Sequence, residues 1–265
     1  MRFETRRARR RREAAEQPFA DEWRALLARR WSWWNVLTDA ERLRLETLIK
    51  SFIADVRWEA ANGFQVTDPM RVLIAAQACL LILELDDDSY RGVGTILVHP
   101  TTVVLQGQRT TGSSGLASSD PYPILGQVQF GGPVIIAWDA AAYDARTPFR
   151  GENVVYHEFA HRLDMVDGVI DGTPPMADDL RRRWVEVFTR ELAAVRAGTA
   201  GPVLRDYAGE NPGEFFAVAT EGFFSRPLDV RAAKPELYAL LAGFYRQDPA
   251  ARFTPPASAE LPITA

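Results

Sequence analysis

Two of the chain's three histidines, His157 and His161, stand four residues apart, and Glu158 directly follows the first. On an α-helix, positions i and i+4 share a face, so both imidazoles reach toward one point. H-E-x-x-H is the spacing of a zinc peptidase, with two histidine ligands and a glutamate general base. The neighbours Val154, Val155, Phe159, Ala160 and Leu163 are apolar. They would bury such a helix and strengthen electrostatics around it. The motif also constrains the fold. A catalytic zinc takes three protein ligands and keeps a fourth position for water, so a second element must pack against this helix and supply the missing ligand.

Several residues compete for that third place. His99 is a weak candidate, since a His-Pro step at a strand end is more often a turn. Asp164 lies at i+3 from His161, where it could be a ligand or could orient a histidine or another helix. Glu214 and Glu221 lie seven apart, two turns along one helix face, among Phe215, Phe216, Phe223 and Phe224. Acids on so apolar a face need partners. Glu214 has a structural alternative, because Asn211-Pro212-Gly213-Glu214 also reads as a capping box.

The stretch 157–164 (His-Glu-Phe-Ala-His-Arg-Leu-Asp), then Tyr207-Ala208 and Asn211-Pro212-x-Glu214-Phe215-Phe216-Ala217, resembles the Mlc titration factor A family of zinc-dependent peptidases. The catalytic core is also similar to that of anthrax lethal factor. The resemblance spans roughly residues 20–250. It implies one zinc ion per chain on His157, His161 and Glu214, with Glu158 as general base. It implies that Tyr207 polarises the tetrahedral intermediate, and it leaves Glu221 as a supporting or packing acid. The implied fold is α+β with a zincin-like, gluzincin-type core, mostly helical with a small mixed sheet. The implied activity is hydrolysis of a peptide or protein substrate, an aminopeptidase being one form. As an alternative, the resemblance implies a regulatory protein that sequesters a transcriptional repressor of the Mlc type. The chain departs from the family pattern at Gly213, where alanine is expected, and over 108–130, which is richer in glycine and serine.

Around this site the chain reads as a basic, disordered tail over 1–18, one peptidase domain over 19–250 with a helical N-terminal part, and a loose end over 251–265. Helices are expected over Phe19–Arg30, Thr38–Ala61 with a capping box at Thr38-Asp39-Ala40-Glu41, and Pro69–Leu85. On the second, Leu43, Leu45, Leu48, Ile49, Phe52, Ile53 and Val56 form the apolar face. Trp31, Trp33 and Trp34 between the first two read as packing of helix ends. Strands are expected at Thr95–His99, Thr101–Gln106 and Val134–Trp138, with a mobile loop over Gln108–Pro123. The last strand precedes the metal helix and is a candidate for binding an extended peptide by strand addition. Further helices follow over Gly151–Val166, Ala177–Ala197, Asn211–Phe224 and Pro235–Arg246.

Charge and cysteine use narrow the function classes. Net charge is −4, yet the first twelve residues hold seven arginines and one glutamate, so the rest is more acidic than the total suggests. Nucleic-acid binding by the folded part is therefore not expected. The apolar run Val72–Leu85, about 14 residues, is too short for a transmembrane segment and reads as a buried helix. The single cysteine, Cys79, falls in that run and forms no intrachain disulfide. An inert buried thiol fits a reducing, cytoplasmic setting.

Overall fold

The computed structural model describes residues 5–253 except 62, 91, 102, 106–108, 112–115, 119–121, 125 and 129–131. The fold is α+β and mostly helical. Helices α1 (Arg6–Glu16), α2 (Asp21–Arg30), α3 (Ser32–Val36) and α4 (Asp39–Asp55) open the chain, followed by strand β1 (Arg57–Ala60) and helix α5 (Asp68–Leu81). Strands β2 (Thr95–His99), β3 (Val103–Leu105), β4 (Arg109–Thr111), β5 (Leu116–Ser118), β6 (Tyr122–Ile124), β7 (Gly126–Val128) and β8 (Val134–Ala137) come next. The remainder is helical: α6 (Trp138–Arg146), α7 (Val154–Asp164), α8 (Asp178–Arg196), α9 (Pro212–Ser225), α10 (Pro227–Ala233), α11 (Pro235–Tyr245) and α12 (Pro249–Arg252).

Helix α5 is the spine of the core. Every residue from Val72 to Leu81 is buried, Cys79 among them, so a helix apolar all round is enclosed on all sides. A four-stranded sheet has the order β1-β2-β8-β7. The first three strands run parallel, and β7 is antiparallel to β8. Ile96 and Val98 on β2, and Val134 and Ile136 on β8, are buried at alternate positions. Helix α7 packs against β7 and β8 on one side, α5 on another and α9 on a third. Among the described residues no helix is long and apolar enough to cross a membrane.

Several expectations need correction. Residues Arg6–Glu16 of the expected disordered tail are helical and lie along α4. Thr5 caps this helix, and its basic side chains meet acids. Arg7 pairs with Asp55 at 2.6 Å, Arg11 pairs with Asp88 at 2.7 Å, and Lys50 donates to the Ala15 carbonyl at 2.6 Å. The charge density that argued against folding is matched by carboxylates distant in sequence. Helix α4 keeps its capping box but ends at Asp55, and Arg57–Ala60 becomes a sheet edge. Leu43 is 64% exposed, because the buried face follows Leu45, Leu48, Ile49 and Phe52 and leaves position 43 outside.

In the expected loop over Gln108–Pro123, the described residues instead include short antiparallel ladders, β4 with β5 and β3 with β6. Backbone pairing there needs no apolar run, so hydropathy does not announce it. Finally, β8 is an interior strand. It pairs with β2 on one side and β7 on the other, which leaves no edge for strand addition. Trp138, expected at the strand's end, begins α6. At the C-terminus Arg252 belongs to α12 and pairs with Glu41 at 2.6 Å. Residues 254–265 of the expected loose end lie outside the described residues.

Candidate metal centre

The start of α7 is fixed by side chains from three other places. The N-cap Asn153 accepts from the Tyr156 N–H at 2.9 Å and donates its amide to Gln77 Oε1 on α5 at 2.8 Å. Asp144 on α6 accepts from the Val154 N–H at 2.9 Å, and Glu221 on α9 accepts from the Asn153 N–H at 2.7 Å. The unsatisfied amides of a buried helix start are thereby partnered, and the helix is held in rotation as well as position. One turn later His157 and His161 present their rings to the same space, with centroids 4.8 Å apart.

Glu214 meets them from α9. Asn211 caps this helix by accepting from the Glu214 N–H at 3.0 Å, while the Glu214 carboxylate turns to the imidazoles. The main chain of Glu214 is capped, and its side chain is at the histidines. Its Oε2 lies 3.0 Å from His157 Nε2 and 3.4 Å from His161 Nε2. The three donor atoms all fall within 4.8 Å of one another. Glu214 Oε2 is buried with no satisfying hydrogen bond. Two imidazole nitrogens and a carboxylate oxygen converging on one space fit a divalent cation.

Behind this trio stands Glu221, 1% exposed. Its Oε1 lies 2.6 Å from His157 Nδ1 and also accepts from the Arg205 guanidinium. A carboxylate on Nδ1 fixes the ring's orientation and leaves Nε2 for the metal side. Burial opposes a charged His157, but Glu221 and Glu214 on its two sides outweigh burial and raise it to about 10. Burial likewise pushes the Glu214 carboxyl up. The two imidazoles outweigh that and hold it well below the usual carboxylate range. A metal therefore competes with a proton at Nε2. Glu158 is 2% exposed and its Oε2 has no partner. Burial lifts its carboxyl to about 7, although the nearby imidazoles pull the other way.

The other expected residues divide. Tyr207 sits on a short helical turn, Asp206–Gly209, with its ring centroid 6.0 Å from that of His157 and the Arg205 guanidinium 5.4 Å from its own. Asp164 is fully buried and accepts from the Gly172 N–H at 2.8 Å, away from the trio. His99 remains at the end of β2 and is no part of the cluster. Arg205, Asn153 and Asp144 were not anticipated. Only Asn153 carried a readable signal, as an N-cap three residues before Tyr156.

Gly172 shows how tightly the segment after α7 is docked. It has φ +74°, and a Cβ there would stand 2.3 Å from the Pro212 carbonyl oxygen at the start of α9. Its own carbonyl accepts from Trp184 Nε1 at 2.8 Å. Gly172→Ala is expected to cost about 1–3 kcal/mol from the backbone conformation alone. Thermal denaturation should show a Tm lower by roughly 3–10 °C.

A family model for the glucose-regulated metallo-peptidase M90 family matches residues 5–246. The chain belongs to that family. An uncharacterized protein of Synechocystis sp., slr2042, is 33% identical over 241 residues, covering 88% of this chain and 86% of its own length. Mlc titration factor A of Edwardsiella ictaluri is 34% identical over 224 residues, covering 82% of this chain and 84% of its own. Mlc titration factor A of Yersinia pestis is 30% identical over the same length. The resemblance read from residues 157–164, 207–208 and 211–217 thus extends over most of the chain. A metallopeptidase family implies a metal ion, and the described residues offer His157, His161 and Glu214 as a group that fits one.

Proposed function

We propose that this chain is a zinc-dependent peptidase with a zincin-like core, in which His157, His161 and Glu214 hold the metal and Glu158 is the general base. The observation that carries the reading is the convergence of two imidazoles and one carboxylate from a different helix, beside a buried carboxyl raised to about 7. Two nitrogens and one oxygen suit zinc and leave a fourth position for water. A zinc ion bound there would acidify a water and polarise a carbonyl. Glu158 would accept a proton from a water in the site as it adds to the carbonyl, and would return that proton to the departing amine nitrogen. The Tyr207 hydroxyl donates to the developing oxyanion, and Glu221 with Arg205 keeps His157 in orientation. An extended substrate pairs with β7, which ends the sheet order, lies beside α7 and runs antiparallel to β8. The buried lone thiol fits a cytoplasmic site of action.

The test is metal analysis beside a peptide-hydrolysis assay. Purified protein is expected to carry about one zinc per chain, to lose hydrolysis on chelation and to regain it when zinc is returned. Hydrolysis that persists in metal-free protein would refute the reading.

A second reading has one specific support, the name Mlc titration factor A borne by the relatives. On that reading the chain binds a repressor protein and cleavage is incidental.

A further inference from the structure

Among the described residues, seven large apolar side chains are well exposed, and three of these (Val166, Val169 and Ile170) lie within five residues just beyond α7. The segment bearing them is docked at its far end, Gly172. Asp164 takes the Gly172 N–H, Trp184 donates to the Gly172 carbonyl, and Gly172 presses on the Pro212 main chain. Within the segment, Asp167 accepts from the Val169 N–H at 3.2 Å and Asp171 from the Thr173 N–H at 2.9 Å. Both exposed carboxylates thus stabilise its turns. Ile170 rests on Gly213, its Cγ2 only 2.6 Å from where a Cβ of that residue would be. Gly213 is the position where the chain departs from the expected alanine, and it immediately precedes Glu214.

We propose that Val169 and Ile170, backed by Val166, form an apolar shelf beside the metal centre that receives an apolar side chain flanking the scissile bond. The inference rests on the peptidase reading and gives it a substrate class. Three facts support it together. The aliphatics stand exposed on a segment whose end is docked through Gly172. Ile170 adjoins Gly213, the residue before Glu214, which brings the segment to the end of α9 that carries the carboxylate of the trio. Gly213 makes the room that seats Ile170, so an alanine there would displace it.

The experiment uses zinc-loaded full-length protein and peptides that differ only at the two residues flanking the cleaved bond, leucine or phenylalanine against serine or glutamine. Wild type is expected to prefer the apolar peptides in kcat/KM by tenfold or more, on the order of what an apolar pocket discriminates. Ile170→Ser and Val169→Ser should each cut that ratio several-fold, and Gly213→Ala should cut it as well. The Glu158→Gln protein, titrated by calorimetry, should bind a leucine peptide about tenfold more tightly than a serine peptide. Adding Ile170→Ser to it should erase the difference. An unchanged ratio in both serine variants of an active enzyme would overturn the shelf and leave the peptidase reading standing. Absence of hydrolysis of every peptide by zinc-loaded wild type would overturn the peptidase reading, and the shelf with it.

Discussion

Glu158→Gln is expected to lower peptide hydrolysis by about 10²–10⁴-fold, equivalent to about 3–5 kcal/mol of barrier, while zinc content stays at the wild-type level. The substitution keeps the size of the side chain and removes only its capacity to accept a proton. Glu158 is 2% exposed with an unpartnered Oε2, so an amide replaces a group that no hydrogen-bond network depends on. The pH dependence carries a matching sign. A general base works in its ionised form, and burial lifts this carboxyl to about 7. Turnover should therefore rise with pH across an acid limb. A cation on the adjacent trio favours the carboxylate, which puts the midpoint of that limb below 7. The same variant separates the two functional readings. Full binding of a repressor by Glu158→Gln protein, alongside lost hydrolysis, assigns the two roles to different features of one surface. Undiminished hydrolysis would remove Glu158 from the mechanism.

Glu214→Ala should lose metal and activity together. Removing a supporting residue around a metal typically costs 10–100-fold in affinity, and a direct ligand should cost more than about a hundredfold. The structure makes this a demanding test, because the capping contact at this position belongs to the main chain. Asn211 accepts from the Glu214 N–H, and alanine keeps that N–H. Helix α9 therefore retains its cap, and circular dichroism and Tm should stay near wild type. Retention of both zinc and hydrolysis would return Glu214 to a purely structural role. Dialysis against graded chelator with zinc measured by emission spectroscopy gives the affinity.

Local signals were the legible part of the sequence. His157, Glu158 and His161 share a face by helix periodicity, and Thr38 and Asn211 announce helix starts through caps. The run Val72–Leu81 shows its burial by composition alone. The opposite held wherever the deciding partner is distant in the chain. Helix α1 forms against Asp55 and Asp88, which no reading of residues 1–18 includes. Val134–Ala137 was readable as a strand, but its interior place follows from β7, a three-residue strand too short to show a pattern. Glu214 left two readings by spacing; in the fold Asn211 caps its main chain, while its carboxylate lies at the imidazoles and does not close a capping box. Arg205 had no local signature, since only the fold brings it to the far side of Glu221 from Asn153.

Trp33 of the short helix α3 has a consequence for any shortened version of this protein. Trp33 donates its indole N–H to the Phe224 carbonyl at 3.2 Å, and its ring also meets Phe224 and Phe253. Phe224 lies one turn beyond Glu221 on the helix that carries Glu214. The opening helices thus brace the far end of the helix that carries Glu214 and Glu221. Trimming the chain back to Thr38 would uncover that aromatic seam and slacken the carboxylate's footing, so activity should decline even though every proposed zinc-binding residue is retained.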